Sequence, residues 1–146
     1  MGSSFIEYRG AGFWSRNYSL EMWMYLLAQE ARRLEDAPEW LLAAADDWHR
    51  QATLNMMGCV SPDLDEHATS PERVAVLLRL AGRALVTLQK RGTVSPVDWL
   101  NSLGLGGPDV RFDRDLPTEV FTRVAETFIR LLRGEITWDA HTSPCL

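Results

Sequence analysis

Residues 20–34, LEMWMYLLAQEARRL, form the most apolar long segment of the chain, and any fold the chain adopts must bury it. At about 100° per residue, Leu20, Trp23, Leu27, Ala31 and Leu34 fall on one face of a helix. Met22, Met24, Tyr25 and Leu26 spread apolar surface over much of the remaining circumference. A helix apolar on nearly all sides is central in its fold or buries a second face against a partner. Glu21 and Glu30 interrupt the run, and it is too short to span a membrane. Ser19 is placed to cap its start, with Glu21 in the first turn, and Arg32 and Arg33 near the end suit the helix dipole. Glu30 lies close to the Trp23–Leu27–Leu34 face. A carboxylate there needs a partner or its charge is costly. The bland reading is a link to an arginine or to backbone; the functional one is an acid or ligand.

The same periodicity places further helices. One runs from Pro38 to about Met57, with Leu41, Ala44, Ala45, Trp48 and Ala52 inward, Asp46 and Arg50 paired outward, Asn55 on the apolar side and Gly58 closing it. A polar connection over residues 58–72 has room for a brief helical turn around Pro62 to Glu66. Ser70-Pro71-Glu72 reads as cap, first-turn proline and first-turn acid. The helix after it, up to Arg91, presents Val74, Leu77, Leu78, Ala81, Leu85 and Leu88. A short helix follows Ser95-Pro96 through Trp99, Leu100 and Leu103. The last long helix, capped by Asp115 or Thr118, runs to Arg133 with Pro117, Val120, Phe121, Val124, Phe128 and Leu131 inward. Its outer face pairs Glu119 with Arg123 and Glu126 with Arg130.

Residues 5–8 suit a short strand or an extended arm broken at Gly10 and Gly12, and Phe13 and Trp14 sit in a loop over the main helix. These readings predict one all-α domain, residues 1–146: four long helices plus one short helix, with little or no strand. Residues 1–18 are the N-terminal arm. Residues 135–146 are a polar C-terminal tail anchored by Trp138.

Composition narrows the function classes. The chain has 146 residues, 46% hydrophobic and 24% charged, which is ordinary for one globular domain. No basic region followed by an apolar run opens the sequence, so the expected compartment is the cytoplasm, with no membrane association. A net charge of −5 argues against direct nucleic-acid binding. The charge is unevenly spread. Residues 36–66 carry seven acids and one base, net −6, and residues 73–91 carry five bases and no acid, net +5.

Chemical motifs are scarce. There is no His-Glu-x-x-His and no Cys-x-x-Cys, and His49, His67 and His141 lie on separate segments, so no metal and no cofactor is expected. Cys59 follows a helix C-terminus, where the dipole raises a thiol's pKa, and reads as a buried apolar residue; Cys145 reads as an inert tail thiol. The glycines at 104, 106 and 107 lack the lysine ending of a phosphate loop.

The stretches GFWSRNYSLEMWMYLLAQE (residues 12–30), MGCVSPDLD (residues 57–65) and PTEVFTRVAETFIRLLRGE (residues 117–135) resemble small helical bacterial immunity proteins of polymorphic-toxin systems. The resemblance implies no catalytic residues. It implies a cytoplasmic protein that binds and blocks one cognate toxin. The acidic block suggests the contact: Asp46, Asp47, Asp63, Asp65 and Glu66 would meet a basic partner such as a nuclease. Two other classes stay open. One is a small enzyme centred on Glu30 with His49 near it. The other is a self-associating module using the second face of the main helix.

Overall fold

The computed structural model describes residues 2–54 and 58–146. It overturns the all-α expectation: the structure is 53% helical and the described residues also carry two small antiparallel sheets built from four strands. The first sheet is a hairpin of β1 (Ser3–Tyr8) and β2 (Ala11–Arg16), in register from Ser3↔Arg16 to Tyr8↔Ala11. The physical signal is alternation, with Ser4, Ile6 and Tyr8 buried and Glu7 exposed between them. Arg9 and Gly10 make the turn with φ of 52° and 81°. Two successive left-handed residues form the turn whose twist matches paired strands. Phe5 and Trp14 face each other across the pair, ring centroids 5.4 Å apart. The arm is therefore sheet, and Phe13 and Trp14 are strand residues, not loop residues. Phe13 is wholly buried in the core.

Among the described residues six helices follow: α1 (Asn17–Arg33), α2 (Glu39–Thr53), α3 (Leu64–His67), α4 (Pro71–Gln89), α5 (Val97–Ser102) and α6 (Glu119–Leu132). Strand β2 feeds directly into α1, which starts two residues before the expected Ser19 cap. Asn17 fixes this junction. Its backbone N–H donates to Gly2 O, its side-chain oxygen accepts from the Ser4 hydroxyl at 2.8 Å, and its amide nitrogen donates to Gly58 O at 3.0 Å. With its start supplied by the hairpin, α1 needs no side-chain cap and has none. Ser19 lies inside the helix and is buried. Its hydroxyl and the Trp23 indole N–H, one turn apart, find no hydrogen-bond partner among the described residues.

Helix α1 is the centre of the fold, packed on α2, α4 and α6 with α4 against α6. Residues on every side of it are buried. Its several apolar faces are thus covered from within the chain. Trp23 meets Phe128 of α6 edge-on at 5.5 Å. Ser70 caps α4 through the Arg73 N–H, as its sequence predicts. The inward face of α4 is Leu77, Leu80, Ala81, Ala84 and Leu88; Val74, Leu78 and Leu85 lie at its margin. On α6 the buried face is Phe121, Val124, Ala125, Thr127, Phe128, Leu131 and Leu132. Pro117 belongs instead to β4 (Leu116–Pro117), which pairs with β3 (Val94–Ser95) in the second sheet. Thr118 stands at the N-cap position of α6 but spends its hydroxyl on Ser95, at 3.0 Å. Asp115 accepts from the Val97 N–H at the start of α5. Ion pairs among the described residues include Glu119–Arg123 but not Glu126–Arg130.

The tail does more than lie on the surface. Ile136 is buried, and the Trp138 carbonyl accepts from the Gly12 N–H. Residues 145–146 then run parallel along the free edge of β2: Leu146 N–H donates to Trp14 O, and Arg16 N–H donates to Leu146 O. The expected end of α2 at Met57, and Asn55 on its apolar side, lie outside the described residues; within them α2 runs to Thr53.

Candidate functional site

Helices α2 and α3 meet along one edge, and the five acids expected to contact a partner divide there. Asp47 projects from α2. Asp63, at the N-cap of α3, lies close enough to Asp47 and to Glu66 of α3 that both charges act on it. The backbone of Asp63 is left-handed, φ 51°, a conformation that Asp tolerates better than most residues. Burial pushes its carboxyl above the usual range. A hydrogen bond with Ser61 lowers it, the charges of Asp47 and Glu66 raise it further, and His67 lowers it. Around this trio the backbone is fixed by Gln51, whose amide donates to Asp47 at 2.7 Å and to Ser61 O at 2.9 Å and accepts from Ser61 N–H at 2.8 Å. The Trp48 indole donates to Pro62 O.

The other two acids are already engaged. Asp65 accepts from the Arg9 N–H at 2.9 Å and fastens the hairpin turn to α3. Asp46 pairs with Arg32 of α1 at 3.0 Å. The expected Asp46–Arg50 pair is replaced by Asp47–Arg50 at 3.6 Å. Asp63 and Glu66 are therefore the acids of the five left without an ion pair or a tie to another element among the described residues, and Asp47, held by Gln51 and Arg50 of its own helix, stands beside them. Sequence reading missed Gln51 and Ser61, which hold this edge. Their signal lay in position: Gln51 stands one helical turn after Asp47, and Ser61 two residues before Asp63.

Glu30 is buried, with 7% of its surface exposed. Its carboxylate accepts from Arg33 at 2.9 Å and from the Thr87 hydroxyl at 3.1 Å, tying α1 to α4. The shallow cleft beside it is lined by Arg79, Arg83 and Lys90, with no second carboxylate and no imidazole among the described residues. His49 lines a different cleft, its ring tilted against Tyr25 at 5.5 Å, where burial and Arg32 hold its pKa down against Asp46. His67 packs edge-on against Trp48. Glu30 and His49 are thus not brought together. Among the described residues no three His, Cys, Asp or Glu side chains gather as a metal site would need. Cys59, expected to be buried, is exposed. No described helix is long and apolar enough to cross a membrane.

Glu21 gains a property that the late helix start had hidden. With α1 beginning at Asn17 it sits beyond the first turn, half-buried, and burial pushes its carboxyl from 4.5 up to about 7. A folded-state pKa above the unfolded one favours the protonated side. This contribution to stability is complete below pH 4.5 and is lost as pH rises through about 7. Glu21→Gln is expected to stabilise the fold at pH 8, by about 1–2 kcal/mol after allowing for solvent screening, and to be neutral at pH 4.5. Urea unfolding at the two pH values measures the difference; an equal effect at both would remove Glu21 as its source.

Comparison with protein-family models, with curated proteins and with solved structures finds no match to this chain.

Proposed function

We propose that the protein is an immunity protein, acting in the cytoplasm, that neutralises a cognate bacterial toxin by protein–protein contact through its α2–α3 edge. The observation that carries this reading is the crowding of Asp47, Asp63 and Glu66. The charges of Asp47 and Glu66 raise the cost of ionising Asp63, and a basic partner relieves that cost on binding. Complementary charge also speeds encounter and selects the partner. The bound toxin is then one with a basic surface, such as a nuclease cleft, and Asp46 and Asp65 serve to hold the edge in place.

Capture on the immobilised protein from a lysate of the source cells, at low and high salt with readout by mass spectrometry, tests this directly. One stoichiometric toxin domain, whose activity falls on mixing with the protein, is the expected result. The triple variant Asp47→Lys, Asp63→Lys, Glu66→Lys is expected to bind at least about tenfold more slowly, because rim charges act mainly on association rate. Unchanged association by that variant removes the edge from the contact. Retention of nothing removes the inhibitor reading altogether.

A further inference from the structure

A second site lies on the other side of the hairpin–α1 junction. A cavity of about 460 Å³ opens between the end of β2, the first turn of α1 and the connection from α5 to β4. That volume falls in the range of small-molecule sites. Arg16, Arg111 and Arg114 line it, with Asp113 as the one carboxylate, so its rim carries +2 in a protein of net −5. None of these three arginines is in an ion pair among the described residues. Tyr18 and Phe112 form the aromatic wall, edge to face at 6.1 Å, and Tyr18 is backed by Phe121 at 6.4 Å.

The wall is preorganised. Asn101 grips the Phe112 backbone on both sides, accepting from its N–H at 2.7 Å and donating to its carbonyl at 3.1 Å. The Arg16 end is held by the Leu146 carbonyl. A loop already held in place loses less freedom when a ligand binds.

Guanidinium forks match phosphate oxygens in a bidentate way, and an aromatic wall offers a dry face to a planar ring. From this combination we infer that the cavity binds a small aromatic phosphate of the mononucleotide class. The phosphate sits among Arg16, Arg111 and Arg114, the ring lies against Tyr18 and Phe112, and Asp113 is free to accept from a sugar hydroxyl or a ring N–H. Three arginines offset by an aspartate are too small a basic surface for a polynucleotide track, so the ligand is a single nucleotide. The site is independent of the acidic edge, and either reading can fail without the other.

Isothermal titration of the full chain with adenosine 5′-monophosphate, adenosine and inorganic phosphate tests the assignment. Saturable one-to-one binding of the monophosphate, at least tenfold tighter than either fragment, is expected. Arg111→Gln combined with Arg114→Gln should weaken it at least tenfold. Phe112→Leu, which keeps the apolar bulk, should erase the advantage of the monophosphate over phosphate. Circular dichroism verifies that each variant is folded, and amide NMR shifts of the unaltered protein on adding the monophosphate should centre on residues 16–18 and 110–116. Absence of binding, equal affinity for phosphate, shifts centred elsewhere or unchanged affinity in the folded double variant would each overturn the proposal.

Discussion

Trp23→Ala is expected to cost about 3–5 kcal/mol of folding stability, the range for emptying a large aromatic site in a close-packed core. Trp23 is fully buried at the middle of the helix on which three others pack, and it meets Phe128 edge-on. Its removal withdraws apolar contact from α6 and opens a cavity that α1, fixed at its start by Asn17, cannot close by sliding. A loss of this size is a large share of the about 5–15 kcal/mol that holds a typical domain together. Trp23→Phe should recover much of it. The indole N–H has no hydrogen-bond partner among the described residues, so its removal carries no lost bond. Urea denaturation of both variants measures this; a Trp23→Ala loss below about 1 kcal/mol would mean the core is far looser than the burial indicates.

Gly12→Ala is the second large effect. A Cβ at this position would overlap the Ile6 carbonyl oxygen and fall within 2.7 Å of the Phe5 ring. The ring can turn, but the carbonyl belongs to the strand paired with β2 and cannot move alone. Residue 12 also donates its N–H to Trp138 O, so a shift that relieves the overlap stretches the tail contact. Overpacking of this kind costs about 1–3 kcal/mol, and here two backbone ladders share the damage. Gly10→Ala makes the comparison: a Cβ there meets nothing within 4 Å, and its cost comes only from the left-handed φ of 81°. The Gly12 variant is expected to be the less stable of the two in thermal melts, with early loss of hydrogen-exchange protection in β1 and β2. The reverse order would show that turn geometry outweighs the strand overlap.

The helical part of the fold was legible from residue spacing. The periodicity in α1, α4 and α6 gave their existence, and Ser70-Pro71 gave the start of α4 within one residue. Of the hairpin only a short strand or extended arm at residues 5–8 was legible; β2 and the pairing were not, for a physical reason. Each strand is six residues long, the turn is Arg-Gly instead of the favoured Asn-Gly, and the alternation is diluted by Ser4 and Ser15, small polar residues that are buried. Taking β2 for a loop made Ser19 look like a cap, and that misplaced Glu21 by nearly a turn.

The candidate sites divide in the same way. Charge counting found the acidic block, but only tertiary contacts show that Asp65 is tied to the hairpin turn through Arg9 and Asp46 to α1 through Arg32, while Asp47 is held within its own helix by Gln51 and Arg50. The spacing that places Glu30 near an apolar face was informative about burial. It carried no information on Thr87, which lies on another helix and supplies one of its two partners. The arginine-lined cavity joins segments about a hundred residues apart, so no local pattern could announce it.

The parallel pairing of the tail with β2 also bears on the order of events during synthesis. Residues 11–16 leave the ribosome long before residues 136–146, yet they need them to complete their outer row of hydrogen bonds. Until then the nascent hairpin displays an open edge of the kind that pairs with neighbouring chains. Closing a loop of that length adds a late, entropically costly step. The interval before the tail docks is therefore when this chain is most exposed to association between unfinished copies, and a chaperone that shields a short β-edge would protect it best in that window.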